Sequence, residues 1–241
     1  MFKGWNKSRS KNLFTDTQNM IKEKIHSRKT GERQPIQSRG IRTREKIIHS
    51  GEKLFSREGF HAVLADDIAK EAGVSVGSFY AYFKDKYDLF LTILNRHLDR
   101  ITAVVFEWSQ NVAGQEDMDT ETFIRDAVQM SHRAHRDAAP FLKQAMQMAL
   151  SNEVIRSRLT ENTDEVVRKV FEKMLLRLDN HPNQARIRVM SYVLYHASEG
   201  VIHDIIFNEG NVGEKEAIVE LSKLLTAYIH SIKPDHSQNL L

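Results

Sequence analysis

Three observations predict an all-α fold. From residue 43 almost to the end, apolar residues recur at the three- and four-residue spacing of helices with one buried face. The four prolines and eleven glycines are few for 241 residues, and most fall between the periodic segments. No segment shows the alternation of a half-buried strand. The predicted architecture is three short helices followed by a larger helical body.

Bulk composition narrows the class further. Apolar content of 41% and charged content of 28% describe an ordinary globular chain, long enough for a sizeable core. The chain has no cysteine, which excludes disulfides and thiolate metal sites and suits a reducing cytosol. No run reaches the roughly 18 apolar residues of a membrane span, and the N-terminus lacks the apolar segment of an export signal. A cytoplasmic location and no membrane partner are expected. The formal net charge of +3 is unevenly spread. Residues 1–44 carry twelve Lys and Arg against Asp16, Glu23 and Glu32, a net +9 that leaves −6 for the rest. A basic arm on a mildly acidic body is the electrostatic footprint of a polyanion partner; a solvated tail is the plainer alternative, and the two are compatible.

In order, residues 1–40 form a basic N-terminal extension, with one short amphipathic helix at 15–26 through Met20, Ile21 and Ile25. A helix from residue 43 carries Ile47, Ile48, Gly51, Leu54 and Phe55 and stops at Gly59. A second spans 65–72 with Ile68, Ala69 and Ala72 inward. Ser75 caps a third, which runs to about Tyr82. Asp85-Lys86-Tyr87-Asp88 resembles a capping box with carboxylates in place of Ser and Glu, and starts a long helix through Trp108. Residues 114–120 read as a loop. Helices then follow at about 121–136, 139–151 with Pro140 in its first turn, 152–178, 183–208 and 214–232. The domains are thus 1–40, a reader at 41–86, and a helical body at 87–241.

The stretch from Ile68 to Phe83 carries the partner chemistry. Gly73 marks the sharp turn between two helices, where positive φ costs glycine nothing. Beyond it, Val76, Gly77 and Ser78 form an exposed first turn, small enough to bring backbone close to base edges, and Val76 can meet a thymine methyl. Phe79 and Phe83 point into a small core. Tyr80 and Tyr82 can set hydroxyls on phosphates, with Lys84 and Lys86 as nearby cations. An ordinary helical corner with surface tyrosines would need none of these features together. The combination predicts a helix-turn-helix that binds double-stranded DNA.

Four stretches stand together here: Leu54-Phe55-Ser56-Arg57-Glu58-Gly59-Phe60, Asp67-Ile68-Ala69, Ala72-Gly73-Val74-Ser75 and Gly77-Ser78-Phe79-Tyr80-Ala81-Tyr82-Phe83-Lys84-Asp85-Lys86. With them, residues 43–90 resemble the TetR family of bacterial transcriptional regulators. The resemblance implies an all-helical homodimer: a three-helix helix-turn-helix DNA-binding domain, then a larger ligand-binding and dimerisation domain. By it, Val76, Gly77, Ser78, Tyr80 and Tyr82 face the groove and Lys86 the backbone. The chain departs from the family at Val63 and Leu64, where Thr or Ser is usual just before the second helix. Leucine can neither cap the helix nor hold a phosphate, so Asp67 is left to favour the helix N-terminus. Affinity should then lean on the basic extension, with Arg39, Arg42 and Arg44 along the adjacent groove or backbone.

In the body, Ile187, Leu194, Ser198, Val201 and Ile205, joined by Leu221, Leu225 and Tyr228, read as a dimer interface between two late helices. Packing of both stripes within one chain is the alternative. Phe106, Phe123, Met130, Phe141, Met146, Phe171, Tyr192 and Tyr195 are candidates to line a site for a small apolar or amphipathic effector. Taken singly, each is more ordinarily a core residue. His132 and His135, or His196, Glu199 and His203, have ligand spacing, yet without a denser cluster no metal and no cofactor is expected. No nucleophile elbow, HExxH or phosphate-binding glycine loop is present, so catalytic residues are not expected. The expected function is a ligand-responsive transcriptional regulator, a repressor on a palindromic operator. A non-specific architectural DNA-binding protein and a helical enzyme are the alternatives.

Overall fold

The computed structural model describes residues 38–113, 119–176, 183–207 and 212–231. The expected helix at 15–26 and nearly all of the basic extension lie outside the described residues. The helices are α1 (Ser38–Glu58), α2 (Ala65–Ala72), α3 (Val76–Tyr82), α4 (Lys86–Ala113), α5 (Thr120–Arg136), α6 (Ala139–Ala149), α7 (Glu153–Leu175), α8 (Gln184–Phe207) and α9 (Glu214–His230). The fold is all-α, with no strand among the described residues. Helix ends fall close to the periodicity except that α1 begins five residues early. Its first turn is polar, so it leaves no apolar period to read, although Thr43 Oγ1 donates to the Arg39 carbonyl within it.

The chain divides into two compact units, and the division falls within α4 and within α7. In the unit formed by residues 38–100 and 138–160, α1–α3 and the start of α4 share a core with α6. Phe55, Phe90 and Phe141 are fully buried, and Phe60 meets both Phe55 and Phe90, with ring centroids 5.3–5.6 Å apart. The Phe90 ring lies 4.7 Å from that of Phe141 on α6. Each buried phenyl contributes about 1.5–3 kcal/mol of transfer free energy. Gly51 lets α1 approach α4 closely, for a Cβ there would lie 2.5 Å from Leu89 Cδ2. A bidentate Arg96–Glu45 pair, with both contacts at 2.6 Å, ties the same two helices at the surface. The Glu45 carboxyl is held below its ordinary range by that bond.

The other unit takes its described residues from 101–137 and 161–231. α5 starts at Asp119, whose carboxylate accepts from the Thr122 amide at 2.9 Å. Phe123, Ile124 and Val128 of α5 then pack with Val170, Phe171 and Leu175 of α7, and with apolar faces of α8 and α9. Ser191 and Ser198, buried on α8, satisfy their hydroxyls on the carbonyls of Ile187 and Leu194. None of the helices among the described residues is long and apolar enough to cross a membrane.

Candidate nucleic-acid interface

α2, its turn and α3 are built by local rules. The Leu64 side chain makes no cap, but the Leu64 amide donates to Asp67 Oδ2 at 3.0 Å, so the first-turn carboxylate serves the helix start from the other side. α2 ends at Gly73, with φ +66°, and the Gly73 and Val74 amides return to carbonyls of the last turn. Ser75 then caps α3 through a 3.1 Å bond from the Ser78 amide. A Lys53–Glu71 pair at 2.5 Å fastens α2 to α1.

This framework sorts the residues of α3 by face. Phe79 and Phe83 are buried, with ring centroids 5.9 Å apart. Tyr80 is 54% exposed and Val76 36% exposed, with Gly77 exposed between them and Tyr82 half-buried. Ser78 is half-buried, and its hydroxyl shares a 2.8 Å hydrogen bond with the Ser75 hydroxyl. A Cβ on Gly77 would meet only Ser75 Oγ at 3.9 Å, so nothing inside the chain requires a glycine there. Arg42 and Lys84 are exposed; Arg44 lies over the Phe83 ring at 5.3 Å.

Lys86 stands elsewhere than expected. Its ammonium donates to the carbonyls of Phe60 (3.0 Å), His61 (3.3 Å) and Val63 (2.7 Å) and sits 4.7 Å over the Phe60 ring. All three donors of an ammonium are thus engaged by its own chain, which places Lys86 as a brace on the loop entering α2 rather than on a phosphate. Just before it, half of the carboxylate capping box forms: Asp85 accepts from the Asp88 amide at 2.8 Å, whereas Asp88 accepts from the amide of Lys84, one residue before the cap, at 3.0 Å.

The effector candidates separate. Phe123, Met130 and Phe171 border one cavity, together with Val105, Trp108, Val128, Ser131 and Glu199. Its volume is about 20 Å³, room for roughly one water. Tyr195 is buried in the surrounding core, whereas Tyr192 is 57% exposed. Phe141 and Met146 belong to the unit that carries α1–α3. The Phe106 side chain lies outside the described residues.

The interface candidates differ in burial. Ile187, Leu194, Ser198, Leu221 and Leu225 are buried inside the chain, and Val201 and Ile205 are half-buried. Only Tyr228 is exposed. The apolar side chains left at the surface are different ones: Val189, Tyr192 and Val193 on α8, and Val219 and Leu224 on α9. Because α8 is apolar on more than one side, its periodicity could not say which side faces inward.

A glycine turn between two short helices, the second capped, exposed at its first turn and anchored by two phenylalanines, defines a helix-turn-helix unit. Residues 47–93 match the family described as bacterial regulatory proteins, tetR family. The chain therefore carries a TetR-family helix-turn-helix domain. It is 39% identical over 61 residues to the HTH-type transcriptional regulator YuxN of Bacillus subtilis (strain 168), covering 25% of this chain and 21% of that one. It is 41% identical over 56 residues to an HTH-type transcriptional regulator of Staphylococcus aureus (strain USA300), covering 23% of this chain and 30% of that one. These matches span less than a third of those relatives' own lengths. Among solved structures, the fold is similar to that of a TetR-like transcriptional regulator from Rhodococcus sp. RHA1. The TM-score is 0.51 and the identity 21%, over 79% of this chain and 97% of that one. It is likewise similar to a TerR/AcrR-family transcriptional regulator from Aquifex aeolicus VF5. Here the TM-score is 0.56 and the identity 19%, over 77% of this chain and 99% of that one.

Proposed function

We propose that this chain is a DNA-binding transcriptional regulator whose α3 reads base edges in the major groove. The observation that carries the reading is the division of α3 into a buried anchor, Phe79, and an exposed, small first turn, Val76 and Gly77, flanked by Tyr80. A helix so short gains little by itself, so its outward face is available to a partner. Gly77 supports the same reading, because its lack of a side chain serves no contact within the chain. Arg42 and Lys84 supply phosphate contacts, Tyr80 and Tyr82 add hydroxyls, and Lys86 acts indirectly by holding the loop before α2.

The protein acts as a homodimer, because two such helices about one DNA turn apart read a palindrome. The exposed stripe Val189, Tyr192, Val193, His196 and Gly200 on α8 follows helical spacing and supplies a self-complementary face with Leu224 and Tyr228 of α9. Gly200 has open space where a Cβ would be, which suits a close helix crossing. The regulator is a repressor released by a mostly apolar effector. Its site is the small cavity beside Phe123, Met130 and Phe171, which must widen on binding, since drug-sized ligands occupy about 300–1,000 Å³.

Selection of bound sequences from a random duplex library tests this. Enrichment of a site with two symmetric halves about one turn apart is expected. Recovery of unenriched DNA would favour the architectural alternative instead.

A further inference from the structure

One polar cluster of the body takes no part in DNA reading. By sequence alone, His132 and His135 form one candidate group, while His196, Glu199 and His203 form another. The fold takes one residue from the first and two from the second. His135 on α5 and Glu199 on α8 are buried, and His203 is half-buried one turn beyond Glu199. His135 Nε2 lies 3.3 Å from Glu199 Oε2, and His203 Nε2 lies 3.0 Å from the same oxygen. One ligand atom from each residue lies within 4.8 Å of the other two. Around an ion with bonds of about 2.0–2.2 Å, neighbouring ligand atoms stand roughly 3 Å apart. The two distances to Glu199 Oε2 fit that frame, and a small rotation of the half-buried His203 would bring the two imidazoles within it.

Proton bookkeeping adds an independent argument. His135 Nδ1 lies 2.8 Å from the Ser131 carbonyl oxygen. A carbonyl only accepts, so Nδ1 carries the ring proton. In the neutral ring Nε2 then presents a lone pair to a carboxylate oxygen that also offers only lone pairs. That contact requires a positive charge between the two atoms, either a second ring proton or a metal ion. An imidazole oriented by a carbonyl on one nitrogen and open at the other is in the arrangement that metal-binding histidines adopt. The Ser131 hydroxyl donates to Glu199 Oε1 at 3.2 Å, which leaves Oε2 for the cation. The Phe207 ring, 5.2 Å from that of His203, adds an apolar wall.

We propose that His135, Glu199 and His203 form a binding site for one divalent transition-metal ion. Two imidazoles and a carboxylate favour zinc, cobalt or nickel over magnesium or calcium, which prefer all-oxygen sites. The site stands apart from the DNA reading and is tested apart from it.

Full-length protein stripped with a chelator is titrated with Co²⁺ and then with Zn²⁺. The expected result is one equivalent of Co²⁺ with visible absorption that Zn²⁺ abolishes. Affinity should fall at least tenfold in Glu199→Gln, which keeps the side-chain shape, and in His203→Ala, which removes a half-buried group. His49→Ala, at an exposed histidine of α1, should bind as the parent does. Thermal melts without metal check that each variant is folded. Two results would each overturn the proposal. One is no stoichiometric uptake at micromolar free metal, with nitrogen NMR showing a proton on His135 Nε2. The other is uptake unchanged in both folded ligand variants.

Discussion

The Lys86 ammonium lies 2.7 Å from the carbonyl oxygen of Val63, the buried residue two positions before α2. It also holds the carbonyls of Phe60 and His61. The loop between α1 and α2 is therefore fixed by a residue at the start of α4. Lys86→Met should remove this brace and lower stability by about 1–2 kcal/mol, because bonds from a charged donor are lost while water replaces them in part. Urea denaturation measures that loss. The salt dependence of DNA binding should stay unchanged in Lys86→Met; a slope smaller by one phosphate contact would return Lys86 to the DNA backbone.

Arg42 and Lys84 are expected to behave oppositely. Both are exposed, and neither substitution empties a buried site. Arg42→Ala and Lys84→Ala should leave the melting temperature within a degree or two. Each should lower the slope of log affinity against log salt by about 0.9, the release of one counterion.

The close passage of α1 over α4 makes Gly51 intolerant of growth. In Gly51→Ala the new methyl would press on Leu89 Cδ2 in a fully packed core. Overpacking costs typically 1–3 kcal/mol, against less than about 1 kcal/mol gained in helix propensity. A net loss of about 1 kcal/mol or more is expected by thermal or chemical denaturation.

Glu52 lies with its carboxylate 3.0 Å from Nε2 of the buried His97. The neighbouring His97 imidazole holds the Glu52 carboxyl below its ordinary value of 4.5. A carboxyl depressed on folding adds stability above its unfolded value, and the gain fades as pH falls through the folded one. Glu52→Gln should therefore melt below the parent near pH 7. The gap should narrow below about pH 4. A gap that stayed constant with pH would mean that Glu52 acts through shape and not through charge.

Much of this was legible in the sequence because it is local. Gly73, Ser75 and Asp85 act within a turn of themselves, and their caps form as read, while Asp88 takes the Lys84 amide in place of that of Asp85. The brace of Lys86 joins groups more than twenty residues apart, which no spacing rule reports. His135 meets Glu199 only because α5 packs on α8. The burial of the interface candidates was hidden for a related reason. α8 carries Ile187, Met190 and Leu194 on one side and Val189, Tyr192 and Val193 on another, so apolarity alone did not choose the buried face.

Gly77 gives the most direct test of whether α3 serves the fold or the DNA. Its Cβ position is open within the chain, so Gly77→Ala should hold or raise stability, by up to about 1 kcal/mol. The measurement is competition anisotropy of parent and Gly77→Ala on the selected site against random duplex. The parent should prefer its site by at least about a thousandfold. Gly77→Ala should lose most of that preference while keeping its non-specific affinity. Equal preference in parent and variant would contradict the assignment of α3 as the base reader.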